Sequence, residues 1–110
     1  MALSEKDFQR QMIDLLHLYG YRVAHFMPAL NQRGQWRTPV AADGKGFPDL
    51  VAIRPAKGNR EPRVLFIELK AMAGRLSREQ QEWRSDLEAS GAEVYVWRPS
   101  DWDSVLDIIA

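Results

Sequence analysis

No cysteine occurs among the 110 residues, which excludes disulfides and thiolate metal sites and suits a reducing compartment. Two histidines, His17 and His25, leave little for a zinc centre. Net charge is also missing: 15 basic side chains balance 15 acidic ones, without the basic surplus that marks a bulk nucleic-acid binder. No apolar run approaches membrane length, and the opening Met1-Ala2-Leu3-Ser4-Glu5-Lys6-Asp7 lacks the basic and apolar regions of a signal peptide. These absences predict a cytosolic (cytoplasmic) soluble protein with no membrane contact. The length predicts one small domain over residues 1–110, with a modest core.

What the chain does have is concentrated in residues 46–70. Gly46-Phe47-Pro48-Asp49-Leu50-Val51 is followed, after a gap, by Phe66-Ile67-Glu68-Leu69-Lys70. Residues two apart on a strand share a face, so Glu68 and Lys70 project together while Leu69 faces the other way. Proline is tolerated at the first position of a strand, which lets Asp49 open a strand running to Arg54. Turn formers fill Pro55-Ala56-Lys57-Gly58-Asn59-Arg60-Glu61-Pro62, so the run Val64 to Leu69 is predicted to return antiparallel beside that strand. The end of one strand then meets the start of the other, bringing Asp49 and Glu68 together. Two carboxylates in contact repel unless a cation lies between them. Oxygen ligands of this kind suit Mg²⁺ or Mn²⁺, and Lys70 adds a compact positive charge for an attacking water or a phosphate. The chemistry implied is phosphodiester hydrolysis.

The remaining elements follow from period and punctuation. Ser4 caps a helix with the stripe Phe8, Met12, Leu15, Leu16 and Tyr19, ended by Gly20. Tyr21 to Met27 reads as a strand, and no period is convincing from Pro28 to Phe47. Ser77 caps a second helix carrying Trp83 and Leu87 and stopped by Gly91; Ala92 to Arg98 is a last strand, and Pro99-Ser100 introduces a closing helix. The predicted order is αβββαβα. Its strand–helix–strand segment favours a parallel crossover, so the class is α/β with a mixed sheet flanked by helices.

Several residues carry two readings. Ser77-Arg78-Glu79-Gln80 is a capping box, yet Leu76, Gln80, Trp83 and Leu87 form one helical stripe that turns Gln80 toward the sheet. Glu5 suits the dipole of a first helical turn, and it also lies on a row with Gln9, Met12 and Leu16 at the edge of the buried face. Arg33, Trp36 and Arg37 fall in a long connection, where they could straddle a phosphate and stack on an unpaired base, or simply belong to a surface loop. Together with Lys45, Arg75 and Arg78 they outline a local basic rim.

Three motifs, Gly46-Phe47-Pro48-Asp49, Glu68-Leu69-Lys70 and Leu76-Ser77-Arg78-Glu79-Gln80, stand in the order and spacing of a known signature. The chain resembles the VRR-Nuc family of the PD-(D/E)xK nuclease superfamily over nearly its whole length, and Ser4-Glu5 matches the family's acid near the start of its first helix. The resemblance implies a restriction-endonuclease-like core and metal-dependent cleavage of DNA. It implies Asp49, Glu68 and the Leu69 carbonyl as ligands of Mg²⁺ or Mn²⁺, with Glu5 reaching the ion through a water. Lys70 would act on the attacking water and Gln80 would assist. No small-molecule cofactor is implied. Solitary members of the family act as dimers on four-way junctions, so a homodimer preferring branched DNA is expected. The competing expectation is a nucleic-acid-binding module of a repair or replication assembly that keeps the fold without cleaving; intact Asp49, Glu68 and Lys70 argue against it.

Overall fold

The hydroxyl oxygen of Ser4 accepts a hydrogen bond from Asp7 N at 3.1 Å in the computed structural model, which describes residues 3–26, 29–30, 32–37 and 41–110. That cap starts α1 (Glu5–Leu18) by satisfying one of its orphan N–H groups, and Glu5 and Asp7 complement the dipole of its first turn. Phe8, Met12 and Leu16 are fully buried, while Leu15 and Tyr19 pack at the edge of the core. Gly20, at φ +88°, takes the left-handed conformation that lets the chain leave the helix and enter β1 (Arg22–His25).

Two short strands, β2 (Ala29–Leu30) and β3 (Trp36–Arg37), pair antiparallel with each other in a ladder of their own. The main sheet adds β4 (Leu50–Arg54), β5 (Arg63–Leu69) and β6 (Glu93–Trp97) to β1, in the order β1-β4-β5-β6. Among the described residues only the β5–β6 pair is parallel, and α2 (Arg78–Ala89) is the crossover between them. A 3₁₀ turn, Pro99–Asp101, leads into α3 (Trp102–Ile109).

Alternation divides the sheet between two different partners. Leu50 and Ala52 of β4, Leu65, Ile67 and Leu69 of β5 and Trp97 of β6 join Phe8, Met12 and Leu16 of α1 and Val105 and Ile109 of α3 in one apolar core. Truncating a member of that core such as Ile67 to Ala would cost about 2–5 kcal/mol. The opposite face carries Phe66, against which Phe47 packs edge-on at 6.0 Å between ring centroids, and Phe47 in turn meets Trp83 of α2 at 5.1 Å. No residue of α2 is fully buried, so this second layer is thin.

The mixed sheet flanked by helices matches the expectation, and the predicted order holds for the main sheet with one insertion. The segment 28–47, where periodicity showed nothing, contains the β2–β3 pair. Two-residue strands are too short to leave a periodic trace. The strand expected over Tyr21 to Met27 is shorter, with Tyr21 turned into the core and Met27 outside the described residues. Asp49 stands immediately before β4 rather than within it.

Candidate active site

The β4–β5 register runs Leu50↔Ile67 and Val51↔Phe66, so one step further sets Asp49 opposite Glu68. The turn between the strands and the period-two alternation thus converge on one point at the sheet's end. Asp49 is held there by its Oδ2, which accepts the backbone N–H of Leu69 at 3.0 Å. Glu68 is only 5 % exposed, and its Oε1 is buried with no hydrogen-bond partner among the described residues. Burial first, then the neighbouring Asp49 carboxyl, push the Glu68 carboxyl up to about 9; Glu5 adds to the rise and the Lys70 ammonium opposes it. Four of the residues singled out in the sequence therefore lie within electrostatic reach of one another.

A buried carboxyl with an orphaned oxygen, pressed against a second carboxylate, is a costly arrangement in a folded chain. A hard divalent cation fits it: the ion would take the unpartnered oxygen, separate the two like charges and accept oxygen ligands of this type. Among the described residues no group of three or more His, Asp or Glu side chains is gathered closely enough to hold an ion. Among the described residues Glu5 is thus not close enough to Asp49 and Glu68 to complete such a group.

The motif that opens α2 is tied to the motif that opens β4. Gly46, at φ +85°, lies so close to the helix that a Cβ there would stand 2.6 Å from the Glu79 backbone carbon and 2.8 Å from Gln80 N. Any other residue would push the loop away, so the glycine of Gly46-Phe47-Pro48-Asp49 is a packing requirement. The indole N–H of Trp83 adds a second tie, donating to the carbonyls of Asp43 and Lys45 at 3.1 Å each. Gln80 completes the capping box: its Oε1 accepts from Ser77 N at 2.8 Å, and Ser77 Oγ accepts from Gln80 N at 3.1 Å. Its carbonyl oxygen is thus committed to the cap, which leaves the side-chain amide nitrogen for other work.

The basic residues are less uniform than the sequence suggested. Lys45 Nζ lies 3.4 Å from Glu79, and Arg78 Nε lies 3.0 Å from Glu82. A groove of about 630 Å³ between the 41–48 loop and α2 is lined by Asp43, Glu79, Glu82 and Asp86 beside Lys45 and Trp83, so acids outnumber bases there. Arg75 is exposed in the connection from β5 to α2, and Arg33 is exposed in the turn between β2 and β3. Trp36 and Arg37 form β3, but their side chains lie outside the described residues. Periodicity did not reveal Phe26 and Phe47, whose rings meet edge-to-face at 5.7 Å next to the carboxylates. The glycine and proline flanking Phe47 were the available signal that this stretch packs tightly.

An acid before one strand, facing a Glu-x-Lys at the end of the next in a helix-flanked mixed sheet, is the PD-(D/E)xK arrangement, and it defines a nuclease-type domain. Residues 33–101, more than half of the chain, match the family model of the VRR-NUC domain, and the chain belongs to that family. No curated protein and no solved structure matches it. Nuclease domains of this family generally use divalent metal ions, and the membership implies DNA as substrate.

Proposed function

We propose that residues 1–110 form a single nuclease domain that hydrolyses phosphodiester bonds of DNA with Mg²⁺ or Mn²⁺. The observation that carries this reading is the buried, partnerless Glu68 oxygen beside Asp49 and Lys70. Asp49 and Glu68 would hold the ion, with the Leu69 carbonyl as a further oxygen ligand and Glu5 acting across a water. When bound, such an ion polarises a phosphoryl oxygen and lowers the pKa of a coordinated water. The Leu69 N–H fixes Asp49 in place, so one carboxylate is oriented before any ligand arrives. Lys70 would hold the attacking water or take its proton, and its charge would offset the negative charge that grows on the phosphate. The Gln80 amide nitrogen would donate to a phosphate oxygen. Arg33, Trp36, Arg37, Lys45, Arg75 and Arg78 would meet the DNA backbone and bases, the paired Lys45 and Arg78 by exchanging their acids for phosphate. A domain this small offers little surface for branched DNA by itself, which favours a homodimer whose two sites cut opposed strands of a junction.

The test is cleavage of labelled single-stranded, duplex, flap, fork and four-way DNA with Mg²⁺, with Mn²⁺ and with chelator. Metal-dependent cutting, strongest on the branched forms and abolished by Asp49→Asn and Glu68→Ala, is the expected result. Lys70→Ala should lower turnover by roughly a hundredfold or more while calorimetric metal affinity stays or rises, since a positive neighbour of the ion has gone. Binding without cutting under every metal condition would overturn the assignment. Light scattering of a monomer at micromolar concentration, with equal rates on duplex and junction, would sink the dimer and the branch preference.

A further inference from the structure

Among the described residues five large apolar side chains are exposed: Leu18, Phe26, Ile53, Val64 and Met72. Phe26 is the one aromatic among them, and its place is unlike that of the others. Its backbone N–H donates to the Asp49 carbonyl at 3.0 Å, which carries the β1–β4 register one residue past His25↔Leu50 and sets Phe26 directly opposite Asp49. Asp49 in turn faces Glu68, so Phe26, just past β1, Asp49, just before β4, and Glu68 of β5 form one row on one face at the sheet's end. Neighbouring strands are about 4.8 Å apart, so the ring lies one strand from the nearer carboxylate.

Phe26 is held in position yet left open. Its ring meets Phe47 at 86°, and Phe47 is itself wedged against Phe66 and Trp83. An edge-to-face contact uses at most one side of the ring, and 45 % of Phe26 remains in solvent. The result is a ring-supported, solvent-open aromatic surface beside a site that would hold a phosphate.

We infer that Phe26 is the stacking platform for the base flanking the scissile phosphate, and that the enzyme therefore takes DNA with an unpaired nucleotide at that position. This rests on the nuclease reading given above. A base in a duplex is covered on both faces by its neighbours, so it can lie on Phe26 only after it is unstacked. That cost is least at a fork, flap or single-stranded end. No hydrogen-bonding side chain is needed for such contact, so selection is for the state of the base rather than its identity.

The experiment steps a fluorescent adenine analogue one position at a time around the branch of a forked DNA, with Ca²⁺ in place of the catalytic ion. Wild-type protein, Phe26→Leu, Phe26→Trp and Leu18→Ala are compared, and cleavage kinetics are measured on the same forks with Mn²⁺. Phe26→Leu keeps the apolar packing on Phe47 while removing the aromatic face. We expect one position to be quenched on binding by wild type and not by Phe26→Leu, with KM for the fork raised roughly 5- to 150-fold and kcat altered less. Phe26→Trp should restore both readings, and Leu18→Ala, at the far end of α1, should change neither. Unaltered quenching and KM in a folded Phe26→Leu protein would overturn the inference. Cutting without position-specific quenching would also overturn it while leaving the nuclease reading intact; quenching without cutting would overturn the nuclease reading and, with it, the claim that the stacked base flanks a scissile phosphate. Neither binding nor cutting by wild type would remove both.

Discussion

The two ends of β5 solve the same electrostatic problem in opposite ways. At its start, Arg63 donates Nε and Nη2 to the two carboxylate oxygens of Glu93, both at 2.7 Å, and Nη1 to the Tyr21 hydroxyl and the Ile108 carbonyl. Tyr21 and Arg54 each donate to the carbonyl of Ile109, so the last turn of α3 is capped by side chains from β4 and from the residue before β1. The Arg63 guanidinium holds the Glu93 carboxyl below the usual carboxylate range. At the other end Glu68, the same residue type, is pushed far above it because burial and Asp49 outweigh Lys70. One end pairs Arg63 with Glu93 and ties Arg54 to a carbonyl with its guanidinium over the Tyr21 ring, although among the described residues the buried Nε atoms of Arg54 and Arg60 have no partner. The other crowds two carboxyls, so that the buried Glu68 holds its proton well past neutral pH. The first arrangement stabilises the fold; the second stores a demand for a cation, the pattern expected where function overrides local stability.

The sharpest way to break this contrast is Glu68→Gln. Cleavage should fall by more than about a hundredfold if the proposed ion ligand is lost. The metal-free protein should nonetheless become more stable at alkaline pH. With Glu68 raised to about 9, its favourable contribution is full below the ordinary carboxylate value and is lost as pH rises through about 9. Melting curves with chelator should therefore show wild-type Tm falling across that window and Glu68→Gln staying flatter, with Mn²⁺ raising only the wild type. A variant less stable than wild type near pH 9 without metal would show that the carboxylate end is not under strain.

Gly46→Ala should have a smaller but broad effect. The added Cβ meets the α2 backbone and the left-handed φ is strained for alanine, so urea titration should show a loss of about 1–3 kcal/mol or more. Turnover should drop with it, because the loop leading to Asp49 must shift. Gly58→Ala is the matched control, with a positive φ and nothing within 4 Å, and should cost only the backbone strain. Equal losses for the two would mean that the loop does not depend on its close approach to α2.

The gentlest perturbation is Glu93→Gln at the paired end. Because its folded-state carboxyl is held low, the Glu93 contribution is present above the ordinary carboxylate value and is lost as pH falls through its folded value. The variant should melt a few degrees lower than wild type at pH 7 and converge with it in strong acid. Activity per folded molecule should not change. A pH-independent difference would assign the loss to packing rather than to the Arg63 pair.

Much of the site was legible because its geometry is local. Alternation put Glu68 and Lys70 on one face, the turn-rich stretch from Pro55 to Pro62 returned β5 against β4, and together these brought Asp49 to Glu68. The capping box at Ser77 and Gln80 was equally readable, since a cap needs only the spacing of its own residues. The basic rim was not. Lys45 and Arg78 are paired with acids of α2, and a formal charge in sequence says nothing of what lies across a groove. The ring row Phe26–Phe47–Trp83 was equally hidden, because it joins the end of β1, a loop and a helix that share no period.

By itself the sequence determined the elements, their faces and the motifs that converge at the end of β5, because each depends on backbone period and turn chemistry within a few residues. Only the tertiary structure decided that Glu68 is buried with an oxygen unpartnered while Glu93 meets a guanidinium, and that Phe26 stands open in the row with Asp49. Desolvation and pairing are set by what distant segments bring within a few ångströms. Those distances exist only once helices and sheet have closed on one another.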